Sequence, residues 1–113
     1  MFIVSYRAAL LPPRKNGDDM MKNVEKWLQK NGISYSTDAR RNNEYIFITL
    51  EKDCVWVNGF GEEMLWDHTI SIFRSGAYKN YIVTEKTGYS LSHTHCRTSK
   101  QSEVIQTLEN LLK

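Results

Sequence analysis

Two histidines and a cysteine lie within four residues in the stretch His93-Thr94-His95-Cys96. Imidazole nitrogens and thiolate sulfurs are common ligands of zinc, so the first chemistry to consider here is metal binding. Side chains alternate between the two faces of an extended strand, which places His93 and His95 on one face and Cys96 on the other. The spacing therefore predicts half of a metal site at most.

A complete site would need ligands from other strands, because zinc takes four ligands in structural sites and three protein ligands in catalytic ones. Cys54 lies in another predicted strand, but in a simple meander that strand is three steps away, or about 14 Å at ~4.8 Å per step. A ligand bond of about 2.3 Å cannot span that gap. We therefore expect no metal and no other cofactor, unless the sheet closes into a barrel that brings the strands together.

Other runs that are typical of catalysis are incomplete. The Lys-Thr-Gly run at residues 86–88 occurs in serine β-lactamases, but the chain has no Ser-x-x-Lys and is too short for that fold. The Gly-Phe-Gly run at residues 59–61 lacks a third glycine at fingerprint spacing and a following Gly-Lys-Ser/Thr. Glu62, Glu63 and Asp67 could be considered as an acid/base group, but adjacent glutamates are more typical of a solvent-exposed loop. No catalytic residue is predicted.

Helical periodicity marks two segments of the chain. The first is predicted to begin near residues 18–19 and to end at the Asn-Gly pair 31–32, which supplies a left-handed stop. Its apolar positions are Met20, Met21, Val24, Trp27 and Leu28. The second follows Thr98 and Gln101, which have the spacing of a capping box. Its apolar stripe consists of Val104, Ile105, Leu108, Leu111 and Leu112.

The rest of the chain is typical of strands joined by short polar loops. An apolar stretch at residues 2–6 predicts the first strand, and a period of two begins at Ile33. The later strands are predicted near residues 33–37, 44–50, 54–58, 69–74, 79–85 and 89–95. Short hairpins favour antiparallel neighbours, and two one-sided helices need an apolar sheet face to cover. We therefore expect an α+β fold in which a mostly antiparallel sheet of about six to seven strands carries two amphipathic helices on one face.

Length and composition predict a single compact domain over residues 1–113. The hydrophobic content of 41% suffices for one core, and 25% charged residues is ordinary for a globular protein. No apolar run approaches the roughly 20 residues that cross a bilayer, and two cysteines do not make a disulfide framework. A cytoplasmic protein with no membrane partner is expected.

Basic residues gather at the ends of the predicted strands. If the strands form a simple meander, one end of the sheet holds a basic group beside Tyr78. The members of this group are Lys52, Arg74, Lys79, Arg97 and Lys100. The other end would hold Arg40, Arg41 and Lys86 together with the acidic loop at residues 62–67, whose charges offset them. Cations beside an aromatic ring can bind phosphates or an acidic protein surface.

Aromatic residues point to a second surface. Tyr45 and Phe47 alternate with isoleucines, and Trp56 alternates with valines. All three are predicted to lie on the sheet face that the helices leave open. An uncovered apolar face of this kind is typical of an interface.

These surfaces favour a small non-enzymatic binding protein that recognises a macromolecule, such as an inhibitor, adaptor or accessory factor. A protein partner, its own copy included, is slightly preferred because a net charge of +2 is modest for nucleic-acid binding. The predicted binding residues are Arg74, Lys79, Arg97, Lys100, Trp56, Tyr45 and Phe47. Two alternatives stay open: a nucleic-acid-binding protein that uses the basic loop tips, and a small metal-dependent hydrolase or nuclease that uses His93 and His95.

Overall fold

A computed structural model describes residues 21–112. In chain order the elements are α1 (Lys22–Lys30), β1 (Ser36–Arg40), β2 (Asn43–Val57), β3 (Glu63–Arg74), β4 (Tyr81–Lys86), β5 (Ser92–Thr98) and α2 (Gln101–Leu112). Within the described residues the five strands form one antiparallel sheet in the order β1-β2-β3-β4-β5. The predicted α+β class, with an antiparallel sheet and two helices, is confirmed, but six strands were predicted over the described residues and five are present. The strand predicted at residues 2–6 and the helix start predicted at residues 18–19 lie outside the described residues.

Both helices pack on one face of the sheet, which we call the inner face. Alternate residues of β2, β3 and β4 are buried there beneath the apolar stripes of α1 and α2. The buried core consists of Met21, Val24, Leu28, Ile46, Ile48, Ile70, Ile72, Tyr81, Val83, Val104 and Leu108. The opposite face, which we call the outer face, carries neither α1 nor α2. No helix among residues 21–112 is long and apolar enough to span a membrane.

The strands predicted at residues 44–50 and 54–58 are one continuous strand, β2. The polar run Glu51-Lys52-Asp53, predicted to be a hairpin turn, instead lies within β2, where the register with β3 shifts twice. Asp53 takes a left-handed conformation with φ of 57°, and its backbone N–H donates to Asp67 Oδ1 over 3.0 Å. These shifts are β-bulges, which absorb extra residues without reversing the chain.

The middle hairpin projects beyond the rest of the sheet. β1 pairs with β2 only as far as Phe47, and β4 pairs with β3 only from Ile70 onward. The remainder of β2 and β3, with the turn between them, continues as a two-stranded ribbon at residues 50–68, which we call the arm. Because two strands alone have no room for a core, the side chains of the arm are mostly exposed.

The capping of the two helices differs from the prediction. Thr98 Oγ1 accepts a hydrogen bond from the Lys100 N–H at 3.1 Å and bonds the carboxylate of Glu103, so the partner of Thr98 is Glu103. Gln101 instead reaches the other helix, where its Oε1 accepts hydrogen bonds from the backbone N–H groups of Asn23 (2.9 Å) and Val24 (3.1 Å). One amide oxygen thus caps the N-terminus of α1 and ties α2 to it.

Replacing Gln101 with alanine is expected to lower the free energy of unfolding by about 0.5–2 kcal/mol, the usual effect of losing a helix cap. The reason is that two backbone N–H groups of α1 lose their acceptor. Urea unfolding followed by circular dichroism measures the change. Gln106→Ala on the exposed side of α2 is the matched control and should have a much smaller effect. Equal losses from the two variants would contradict the cap.

Candidate binding surface

An apolar strip crosses the outer face at the centre of the sheet. The register places Tyr45 opposite Phe73, and Phe73 opposite Ile82, on three adjacent strands. The ring of Tyr45 stacks on Phe47 with centroids 5.8 Å apart and lies 5.0 Å from the ring of Phe73. All four side chains are half-buried. Tyr45 and Phe47, both predicted binding residues, therefore lie side by side on the face that the helices leave open.

A shallow cavity of about 470 Å³ adjoins this strip. It is lined by Phe47, Thr69, Ser71, Thr84, Lys86, Tyr89, Ser90, Leu91 and Ser92. Tyr89 in turn stacks on Trp56 of the arm, with centroids 5.3 Å apart and planes 7° from parallel. Trp56 pairs with Met64, which alternates along β3 in the phase of Ile70 and Ile72, so the prediction that Trp56 shares a sheet face with Tyr45 and Phe47 is wrong. It borders the same surface through Tyr89.

The arm extends the outer face with exposed apolar side chains. Leu65 alternates along β3 in the same phase as Phe73, so it continues the outer face, and the register puts Val55 opposite it. Leu65 is 60% exposed and Phe60, at the turn, is 91% exposed. Val57 is also exposed. Sequence periodicity did not identify these residues because it did not show that the hairpin leaves the rest of the sheet.

Continuity of β2 changes the predicted charge map. With no turn at residues 51–53, the β1–β2 turn lies at the same end of the sheet as the β3–β4 turn. The two turns touch: the Gly76 N–H donates to Asn43 Oδ1 over 3.3 Å, and a Cβ added at Gly76 would lie 2.1 Å from the carbonyl oxygen of Asn42. The predicted assignment of Arg40 and Arg41 to the opposite end is therefore wrong.

The cations at this end of the sheet form what we call the basic end. Its members are Arg40, Arg41, Arg74, Lys79, Arg97 and Lys100. Arg40 pairs with Asp38 over 3.1 Å, and the guanidinium of Arg74 lies 5.8 Å from the ring centre of Tyr81, so both are partly engaged within the chain. Lys79, Arg97 and Lys100 are exposed. Three of the four cations predicted to bind therefore face solvent at one end of the sheet.

The arm carries the opposite charge. Its residues 50–68 include five acidic side chains against one lysine. The acidic residues are Glu51, Asp53, Glu62, Glu63 and Asp67. The lysine is Lys52, which was predicted to belong to the basic group and instead lies in the arm. Since β2 and β3 run from the basic end to the tip of the arm, the sheet has a charge gradient along its strands.

A cluster of histidines around one carboxylate lies near the base of the arm. Glu85 on β4 accepts hydrogen bonds from Nε2 of His68 (2.5 Å) and from Nε2 of His95 (2.7 Å). These two bonds hold the pKa of Glu85 below its usual range. The ring of His93 meets that of His95 edge-on, with centroids 4.6 Å apart. Because a carboxylate only accepts, each of the two Nε2 atoms bonded to it carries a proton.

This cluster bears on the metal-dependent alternative. A register shift between β4 and β5 makes His95 the extra residue, between Cys96 opposite Val83 and Thr94 opposite Thr84. His95 thereby meets Glu85, and Cys96 packs against the core as a half-buried thiol. No group of three or more His, Cys, Asp or Glu side chains in the described part of the chain has a geometry that could hold a metal ion.

The Glu85→Gln variant is expected to be less stable than the wild type at neutral pH, with a difference that shrinks in acid. The bonds from His68 and His95 lower the folded-state pKa of Glu85 below the ordinary 4.5. A carboxylate of this kind contributes stability above its unfolded pKa and loses it as the pH falls through its folded pKa. Urea unfolding at several pH values from neutral down to the acid range measures the difference.

The matched control for this variant is Glu51→Gln, which changes an exposed carboxylate of the arm. It should show little difference from the wild type at any pH. A difference between Glu85→Gln and the wild type that stays constant from neutral to acid pH would contradict the role given to this carboxylate.

Comparison of the chain with protein-family models, with curated proteins and with solved structures found no match. The features that bear on function are therefore the surfaces themselves: the apolar outer face, the acidic arm, the basic end and the histidine cluster. The first two adjoin each other and together hold most of the large exposed apolar side chains in residues 21–112.

Proposed function

We propose that the protein is a small binding protein without catalytic activity, which recognises another protein through its outer face and arm. The observation that carries this proposal is the set of apolar side chains exposed on the arm. Trp56, Phe60 and Leu65 are all large and all exposed. Several large exposed apolar side chains on one short ribbon are typical of a binding site, and aromatic side chains often supply most of the energy at protein interfaces.

The charge around this apolar surface favours protein over nucleic acid as the partner. Glu62, Glu63 and Asp67 lie on the arm beside the exposed apolar residues. Carboxylates repel the phosphates of a nucleic acid, whereas a protein partner can bring basic side chains to the rim and apolar ones to the centre. A role as inhibitor, adaptor or accessory factor suits a chain that binds in this way.

Affinity capture from an extract of the cells that produce the protein tests this proposal, with and without nuclease treatment. The wild-type chain should retain a protein partner after nuclease, and Leu65→Lys should lose it, since burying a lysine amine without a partner is costly. Gln106→Lys on the exposed side of α2 makes the same change away from the surface and should retain the partner. Loss of capture on nuclease treatment, or equal capture by both variants, would contradict the proposal.

Nucleic-acid binding is a second candidate, and the basic end favours it. Its acidic neighbours are already engaged or buried: Asp38 pairs with Arg40, Glu103 bonds Thr98, and Glu44 is buried. Lys79, one of the exposed cations there, follows Tyr78, which is itself 83% exposed. Cations next to an exposed ring suit the backbone and bases of a single strand.

The second candidate predicts binding of a labelled single-stranded oligonucleotide that weakens steeply with salt, because phosphate contacts release counterions. The triple variant Lys79→Glu, Arg97→Glu and Lys100→Glu should weaken this binding and flatten its salt dependence. The matched control reverses three exposed lysines on α1: Lys22, Lys26 and Lys30. Equal losses from the two triple variants would mean that only net charge matters, and absence of binding by the wild type would remove this candidate.

A further inference from the structure

We propose that the partner is a second copy of this chain, and that two copies pack outer face to outer face with their strands running in opposite directions. This inference rests on the proposed function and names its partner. The acidic arm of each copy then lies against the basic end of the other.

The charge gradient along the strands favours a stack in which the strands of the two copies are antiparallel. The arm holds five acidic residues and one lysine, whereas the basic end, at the other limit of β2 and β3, holds six cations. Two copies stacked with parallel strands would place like charges together at both ends. With antiparallel strands, each arm meets a basic end, and both contacts are attractive.

Two-fold symmetry allows such a stack to close at two chains. A two-fold axis that lies between the two faces, perpendicular to the strands, relates copies stacked in this antiparallel way. Such an interface is isologous, so the same surface of each copy is used and the assembly closes at two chains. If the arm of one copy contacted the basic end of the next without the reverse contact, one arm would be left without a partner. Further copies could then add to it and build an open filament.

The apolar side chains of the two outer faces also match each other across this two-fold axis. Along β3, the outer face presents Phe73 near the basic end and Leu65 in the arm, with Asp67 and the smaller Thr69 and Ser71 between them. The two-fold therefore places Leu65 and Val55 of one copy near Phe73 and Tyr45 of the other. At the centre of the stack Thr69 meets Thr69, and the two-fold places Asp67 of each copy opposite Ser71 of the other, whose hydroxyl can donate to the carboxylate.

The available surface is large enough for a dimer. The twelve residues of β3 at about 3.3 Å each make a face about 40 Å long. With a width of about 10 Å at the arm and about 20 Å at the body, each copy can bury on the order of 600 Å², near the lower limit for specific interfaces. A dimer of this size should dissociate on dilution and at high salt.

Light scattering during size-exclusion chromatography tests the inference. At low ionic strength the wild type should have twice the 13.2 kDa mass of one chain, and it should shift toward that of one chain as salt is added. Two double variants separate the two ends: Glu51→Lys with Glu63→Lys in the arm, and Arg97→Glu with Lys100→Glu at the basic end. Each alone should raise the dissociation constant about tenfold or more, because like charges then face each other twice.

Mixing the two double variants is the decisive measurement. In the mixed pair, lysines on one arm face glutamates at the basic end of the partner, and the native arm faces a native basic end. The mixture should therefore form a heterodimer of wild-type-like stability, although each variant alone dimerises much more weakly than the wild type. Dimers formed equally well by each variant alone, or a mixture that stays monomeric while the wild type is dimeric, would overturn the inference.

The outcomes also separate this inference from the proposed function. A wild type that is monomeric at every concentration, but that captures a different protein through Leu65, would overturn the self-pairing and leave the proposed function standing. Species that grow beyond two chains with concentration would overturn the closed dimer. A monomer that captures no protein would overturn both.

Discussion

Replacing Ile72 with alanine is expected to lower the free energy of unfolding by about 2–5 kcal/mol, the usual cost of emptying space in a packed core. Ile72 lies at the centre of β3, fully buried, between Ile46 and Val83 on the inner face. Both helices cover this face, so little can move into the space that the side chain leaves. Urea or thermal unfolding of the purified variant measures the loss.

The matched control is Ile82→Ala, which removes the same atoms from the outer face. Ile82 lies opposite Phe73 and is only half-buried. Its replacement should cost less than half as much in the monomer, because apolar stabilisation scales with the area withdrawn from water. Equal costs at Ile72 and Ile82 would mean that both faces of the sheet are core, and the outer face would then be no interface.

Replacing Trp56 with alanine is expected to weaken binding of the protein partner about 30-fold or more, or ~2 kcal/mol, as at other interface hot spots. Trp56 is 43% exposed, stacks on Tyr89 and so stands beside the cavity that Phe47 lines. Its removal takes away the largest side chain at that edge. The measurement is titration of the wild type and the variant against the captured partner, or the dimer dissociation constant if the partner is a second copy.

Two further measurements make the Trp56 result specific. Trp56→Phe keeps a flat ring to stack on Tyr89 and should recover much of the affinity. Circular dichroism of Trp56→Ala should show a folded protein, since the arm lies outside the buried core. A folded Trp56→Ala variant that binds as tightly as the wild type would remove this residue from the interface.

The helices and most of the hairpins could be predicted from the sequence because their signals are local. The apolar stripe of α2, for example, contains Val104 and Leu108, and both are buried in the core. Alternation also placed Tyr45 and Phe47 correctly on the face opposite Ile46. Periodicity reports which side of an element is apolar, and one-sided elements pack in few ways.

Strand continuity could not be predicted from the same signals. The run Glu51-Lys52-Asp53 has the composition of a hairpin turn, yet it forms bulges because Asp67 on the facing strand accepts the Asp53 N–H. That acceptor lies 14 residues away in the chain. Because a turn was predicted there, Arg40 and Arg41 were assigned to the wrong end of the sheet. The predicted distribution of charge was therefore wrong, although most strands were predicted near their observed positions.

The sequence also did not show which polar residues would pair across strands. His95 was identified as a candidate for chemistry, but its partner Glu85 lies on the neighbouring strand and is reached only through a bulge. His68 joins from a third strand. Gln101 was identified as a cap, and it is one, but of the other helix. In each case the residue type indicated a polar role, whereas the partner of that residue depended on register and packing between distant segments.

The most direct test of the central claim is photo-crosslinking from two positions in an extract of the producing cells. One chain carries a photoreactive amino acid in place of Leu65 on the outer face of the arm, and the control chain carries it in place of Gln106 on the exposed side of α2. The proposal predicts a crosslink to protein from position 65 that survives nuclease, and none from position 106. Crosslinks from position 106 alone, or from position 65 to nucleic acid alone, would contradict it.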